Sequence, residues 1–182
     1  MRPALLGAAC VVVLGLFGCT KGGEAPSATV AAALPAEAFE KPISFAGSSL
    51  PPYVASVRGF AQPETFGRWI NTKIASIEFS APLPREFDLE ISAAAFGPNI
   101  GEEALVVVGV NGYPLRIRGD LSSFQAYSVR VDNPTMSPTI SFVVPRPVTP
   151  EMLGLGKDSR YLGIALGAVR IKPVEAKDEA KK

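Results

Sequence analysis

The stretch Phe87-Asp88-Leu89-Glu90-Ile91-Ser92-Ala93-Ala94-Ala95 decides the fold. Phe87, Leu89, Ile91, Ala93 and Ala95 fall on one side of an extended chain. Asp88, Glu90 and Ser92 fall on the other. An exact period of two marks a strand with one face in a core and one face wet. Ala75, Ile77 and Phe79 alternate in the same way with Ser76, Glu78 and Ser80. Tyr127, Val129 and Val131 alternate with Ser128, Arg130 and Asp132. Two apolar runs, Leu105 to Val108 and Ile140 to Val144, read as more deeply buried strands. A Gly-rich last strand runs from Tyr161 to Ile171, with Leu162, Ile164, Leu166 and Ala168 alternating.

Turn chemistry separates these runs. Asn111-Gly112, between Val110 and Tyr113, is a strong hairpin signal because both residues tolerate positive φ. Thr149 to Gly156 has room for one short helical turn, and Pro147 and Pro150 keep it irregular. No long helical period and no internal repeat occurs. The pattern predicts eight to ten short strands in an all-β fold: a single antiparallel β-sandwich, jelly-roll-like, over residues 43–172.

The flanks have a different texture. Residues 19–42 are rich in Gly, Ala, Pro and Ser, with few large apolar groups to offset the entropy of ordering. They read as a flexible tether, with one transient helical turn between Ala31 and Phe39. Residues 173–182 are a charged tail. At the other end, Arg2 is the only charge before Lys21, and an apolar run from Ala4 to Phe17 follows it. That run is shorter than the ~20 residues a spanning helix needs. It has the parts of a secretory leader over residues 1–18. Leu16-Phe17-Gly18-Cys19 resembles the lipobox of bacterial lipoproteins, which implies cleavage before Cys19 and lipidation there. Phe17 is unusual for its place in that motif. By resemblance to the sorting rule for such proteins, Thr20 in place of Asp favours the periplasmic face of the outer membrane.

Composition narrows the chemistry. Lys and Arg total 18, Asp and Glu 17. Loss of Arg2 with the leader balances them, so no net charge steers the chain to nucleic acid. Cys10 would leave with the leader. Cys19 would then be the sole cysteine, and no disulfide framework is available. There is no histidine, which excludes Ser-His-Asp and Cys-His catalysis and any His-ligated metal. A carboxylate enzyme would need two acids across one cleft, from among Glu64, Asp88 and Asp158. Glu102 and Glu103 lack such spacing and read as solvated. No Asp-rich loop supports calcium. The expectation is a non-catalytic domain with no cofactor and no metal.

Six residues are candidates for ligand binding: Glu64, Arg68, Trp69, Asn99, Asp158 and Arg160. Trp69 could stack on a sugar face while Glu64 and Arg68 bond its hydroxyls, or it could fill the core while Arg68 pairs locally. Asn99 could offer its amide to a ligand or could satisfy a turn. Asp158 and Arg160 could bind a polyol or each other.

These motifs occur together in a recognisable order. Gly59-Phe60, then Glu64-Thr65-Phe66-Gly67-Arg68-Trp69, Pro82-Leu83-Pro84, Ala95-Phe96-Gly97-Pro98-Asn99, Pro145-Arg146-Pro147 and Asp158-Ser159-Arg160-Tyr161-Leu162-Gly163-Ile164 follow one another. The series resembles the C-terminal periplasmic domain of the phosphoglycerol transferases that decorate osmoregulated periplasmic glucans. The resemblance spans about residues 43–172. Phe66 stands where that pattern has Trp, and Ile70 where it has Ser or Thr. It implies an extracytoplasmic accessory domain in contact with periplasmic glucan or another envelope glycan. It does not carry over catalysis, which belongs to a separate sulfatase-like, metal-dependent domain whose Asp, His and Thr residues have no counterpart here. The competing expectation is a scaffold lipoprotein that holds an envelope enzyme through a sandwich face.

Overall fold

The computed structural model describes residues 33–174. Cys19, the leader, most of the tether and most of the tail lie outside the described residues. Ten strands form: β1 (Ile43–Ser44), β2 (Val54–Arg58), β3 (Arg68–Trp69), β4 (Ile74–Phe79), β5 (Glu86–Ala95), β6 (Glu103–Val108), β7 (Asn111–Arg116), β8 (Gln125–Asp132), β9 (Thr139–Val143) and β10 (Ile164–Pro173). The first sheet has the order β1-β10-β5-β8, with β3 also on β10. The second has the order β2-β4-β9-β6-β7. All the pairs are antiparallel.

The pairing is nested. β6 pairs with β7, β5 with β8, β4 with β9, and β1 with β10. Successive pairs belong to alternate sheets. That is one long hairpin wound around a core, the jelly-roll arrangement of a sandwich. The core is the inward half of each alternating strand. Phe87, Leu89 and Ile91 of β5 meet Ile77, Ile140 and Phe142 of the opposite sheet in one buried cluster. Each such side chain contributes about 1.5–3 kcal/mol on leaving water.

Four local features differ from the sequence expectation, each for a physical reason. The hairpin forms, but its turn is Gly109-Val110, and Asn111 opens β7 opposite Val108. Gly109 has φ +59° and Val110 is not in the positive region, the signature of a II′ turn. The two possible registers differ by an even number of residues, so alternation cannot separate them. Asn111 is used elsewhere: its Nδ2 donates to the Asp132 carbonyl at 2.8 Å. β6 alternates like the other strands: Val106 and Val108 are buried while Leu105 is 37% exposed. The outer face of its sheet is open, so the apolar run is not covered twice. The folded part begins before residue 43. Leu34 and Ala38 are buried in the main cluster, with Phe39 packed on it, and the helical turn α1 (Glu37–Glu40) lies against β10. The average composition of residues 19–42 conceals these three apolar groups.

The fourth difference is a bulge in β10 between Leu166 and Ala168. Before it Ile164 and Leu166 face the main core; after it Val169 and Ile171 do. One extra residue inverts the faces of the strand. Gly167 sits at the inversion, where a Cβ would come within 3.1 Å of the Phe124 ring. Ala165 points the other way, into a second small cluster on the outer face of the sheet.

Gly67 lets the chain enter β3. Its φ is +144°, and a Cβ there would lie 2.2 Å from the Leu166 carbonyl oxygen. Gly67→Ala is expected to cost about 2–3 kcal/mol through this clash. Gly101 also has positive φ, +79°, but nothing surrounds it, so Gly101→Ala is expected to cost only about 1 kcal/mol. Urea midpoints of the two variants check this; equal losses would mean that close approach of β3 to β10 is not what Gly67 provides.

Candidate functional site

Trp69 lies inside. It is 2% exposed and sits on the outer face of the first sheet, over Ala94 and Ala165. Phe66 and Phe96 meet its ring edge-on, with centroids 5.8 Å and 5.9 Å away. Leu162 closes the cluster. No face of the indole is open to a sugar. Arg68, the preceding residue, points the other way along the strand edge. It is 9% exposed, and its Nη2 donates to the Gly47 carbonyl at 3.2 Å. Its buried Nε has no hydrogen-bond partner.

Asn99 is also enclosed, at 2% exposed. It closes a single 3-10 turn, Gly97–Asn99. Its Nδ2 donates to the carbonyls of Phe96 at 3.0 Å and Arg146 at 2.8 Å, and its Oδ1 accepts from the Arg146 N–H at 3.0 Å. This amide pins two loops together. Both of its N–H donors are taken, and the enclosed side chain is out of a ligand's reach.

Glu64, Asp158 and Arg160 do come together, on the surface. The Arg160 guanidinium donates to Asp158 from Nη2 at 2.7 Å and from Nε at 3.0 Å, and to Glu64 from Nη1 at 3.0 Å. The Arg160 backbone N–H also donates to Asp158 Oδ1 at 2.9 Å. The Arg160 side-chain bond, then its backbone N–H, hold the Asp158 carboxyl below its ordinary value. The bond to Asp158, with a smaller part from Glu64, moves Arg160 in the opposite direction, up. The network ties the loop before β3 to the segment before β10, the two stretches that carry Phe66 and Leu162 onto Trp69. One cation is met by two acids, and Asp158 is held ionised.

A different surface carries an open groove. On the outer face of the first sheet, the ladders align rows of outward side chains: Ala168, Ser92 and Ala126, then Arg170, Glu90 and Ser128, then Lys172, Asp88 and Arg130. The first two rows and Pro42 line an open groove of about 330 Å³. Small side chains make its floor. The aromatic cover of Phe66 and Phe124 ends at Gly167, one residue before Ala168. Glu90 is paired with Lys172, and Asp88 with Arg130 at 3.3 Å. The outward half of the β5 alternation already contained Glu90 and Ser92. Only the register between strands shows that small residues from three strands share a row.

Two lesser surfaces complete the picture. Asn71, Thr72, Lys73, Pro147 and Tyr161 line a second hollow of about 260 Å³. Met152 and Leu155, on the loop of the 3-10 turn Glu151–Leu153, are 68% and 67% exposed. Among the described residues, no three Cys, Asp or Glu side chains gather as a set able to hold a metal ion.

Comparison with known proteins places the chain. The family described as "Domain of unknown function (DUF7024)" matches residues 32–173. That start agrees with the burial of Leu34. Phosphoglycerol transferase I of Salmonella arizonae is 40% identical over 130 residues, which are 69% of this chain and 16% of that protein. The proteins of that name from Salmonella paratyphi B and Salmonella typhi are each 36% identical over 130 residues, 69% of this chain and 17% of theirs. The chain thus spans about a sixth of the length of these relatives. No solved structure matches.

The Arg160 network has a consequence in acid. A carboxyl whose folded value is depressed stabilises the fold above its unfolded value and loses that contribution as pH falls through the folded one. For Asp158 the loss therefore sets in below the ordinary 3.8. Asp120, lowered chiefly by the hydroxyls of Ser122 and Ser123, acts in the same window. Asp158→Asn is expected to flatten, without abolishing, the fall in stability between about pH 5 and about pH 2. Urea unfolding across that range checks it, and a profile parallel to the wild type would remove Asp158 from the account.

Proposed function

The chain belongs to the DUF7024 family, and on that footing we propose that it is a non-catalytic, glycan-associated β-sandwich module of the cell envelope, tethered by a lipid on Cys19. It shares this domain with phosphoglycerol transferase I, whose name describes group transfer by the whole, much longer protein. The observation that carries the reading is the groove on the outer face of the first sheet. Its floor of Ala168, Ser92 and Ala126 is flat and small enough to admit a sugar ring. Ser128, Glu90 and Arg170 stand beside that floor as donors and acceptors for hydroxyls. Apolar floor with a few convergent polar groups is what small-ligand sites share.

The acids support a binding role over a catalytic one. Among the described residues Glu90 is the only carboxylate that lines the groove, and Lys172 takes it up. Asp88, one row away, is held by Arg130. Glu64 and Asp158 share Arg160. Glycoside hydrolysis needs one acid kept protonated and a second one free across the scissile bond. These paired acids match neither requirement.

The lipid anchor rests on Leu16-Phe17-Gly18-Cys19, and Thr20 favours the periplasmic face of the outer membrane over the inner membrane. No helix among the described residues is long and apolar enough to cross a membrane. Several acyl chains, at ~0.8 kcal/mol per buried methylene, suffice as an anchor. A second reading, a scaffold that holds an envelope enzyme, is favoured by the exposed Met152 and Leu155, since apolar surface of that kind marks contact sites.

Calorimetric titration of the mature protein with periplasmic glucan oligosaccharides is expected to give saturable binding. Ser92→Trp, which fills the groove from an outward position, is expected to abolish it at unchanged melting temperature. Absence of binding at millimolar glucan would turn the choice to the scaffold. Mass spectrometry of the mature N-terminus is expected to find acylated Cys19; an unmodified terminus at another residue would overturn the anchor.

A further inference from the structure

The outer face of the first sheet carries three cations and two acids in register: Arg170, Lys172 and Arg130 against Glu90 and Asp88. Their pairing leaves one cation over. Lys172 takes Glu90 and Arg130 takes Asp88. Arg170 stands opposite Glu90 in the ladder, yet it enters none of the ion pairs formed among the described residues. Its Nε is buried and has no hydrogen-bond partner.

A desolvated guanidinium donor without a partner is a cost that native structures rarely leave standing. Among the described residues two arginines have such an atom, Arg68 and Arg170, and their surroundings separate them. Arg68 is shut in beneath Gly47, at 9% exposed. Arg170 lines the open groove. The Arg170 Nε is itself out of a ligand's reach, but the rest of that guanidinium borders the groove, and Arg68 does not line it.

We propose that the groove is selective for sugars that carry an oxyanion, with the Arg170 guanidinium as the subsite for that group. The inference rests on the glycan reading above and sharpens it to a charged substituent. The planar guanidinium offers parallel N–H donors that match a phosphate or carboxylate edge. Burial of the stem and of Nε holds the fork in place, so little rotamer freedom is lost on binding. The lining beside it is largely apolar, which weakens the screening of the pair. Glu90, already held by Lys172, stands on the same row and repels a misplaced anion. The hydroxyls of Ser92 and Ser128 remain for the sugar itself. A phosphodiester substituent and a uronic acid both present this chemistry.

The test is a titration of the mature protein with three probes: a neutral β-glucan oligosaccharide, the same oligosaccharide bearing phosphodiester groups, and one bearing uronate groups. The wild type is expected to bind at least one charged form about tenfold more tightly than the neutral form, with the preference shrinking as salt is raised. Arg170→Gln is expected to remove that preference, and Arg170→Lys, which keeps the charge without the fork, to retain part of it. Preference for one charged form identifies the source of the oxyanion. Equal wild-type affinity for neutral and charged forms would overturn this inference while leaving the glycan reading in place. A charge preference that survives in Arg170→Gln would overturn the assignment to Arg170. Failure of all three probes to bind would overturn both readings.

Discussion

The ladder between β5 and β10 is the interaction on which the rest of the structure depends. It runs from Phe87 opposite Pro173 to Ala95 opposite Ile164, interrupted only by the bulge at Gly167. β10 also receives β1 and β3 on its other edge, and β5 receives β8. One face of this ladder supplies much of the main core. The other face is divided by the bulge. On the side of Ala165 and Ala94 it is roofed by Trp69 and its phenylalanines; on the side of Ala168 and Ser92 it is left open as the groove. Core, roof and groove are thus three consequences of one pairing, and none survives a one-residue slip of it.

Much of the fold is legible in the residues because a wet-faced strand leaves a period of two. β4, β5, β8 and β9 lie within a residue or two of the alternating or apolar runs that mark them. What alternation cannot carry is the relation between strands. The turn at Gly109-Val110 and the one suggested by Asn111-Gly112 put the same side chains inward, so the pattern is silent between them. The bulge at Gly167 is likewise invisible, because the apolar residues around it are too many for the inversion to show as a break. Of the expected inward residues Leu162, Ile164, Leu166 and Ala168, only Ile164 and Leu166 face the main core, and Leu162 is buried instead beside Trp69. The early start at Leu34 is a question of average composition, where three apolar groups are lost among Gly, Ala and Pro.

The candidate site was less legible, for a related reason. A lone Trp beside Arg and Glu suits a sugar platform and a core equally well, and only a second hydrophobic layer outside the sheet decides between them. Asn99 and Arg68 share that fate. Glu64, Asp158 and Arg160 do converge, but as a network that consumes its own charges. The two departures from the family pattern also fall away from the groove. Phe66 packs against Trp69 and Phe124, and Ile70 is fully buried in the main core. Both are matters of packing. The groove residues, in contrast, are small and ordinary one by one. They become a site only when Ala168, Ser92 and Ala126 are set side by side by the ladders.

Three surfaces compete for contact with glycan: the groove, the Arg160 network and the Met152 to Leu155 loop. Amide chemical-shift mapping of the isotopically labelled mature protein, titrated with periplasmic glucan, separates them directly. The account predicts perturbations concentrated at Ser92, Ala126, Ser128, Ala168 and Arg170, with Glu64, Asp158 and Arg160 unmoved. Perturbations centred instead on Glu64 and Arg160, or on the exposed Met152 to Leu155 loop, would contradict it.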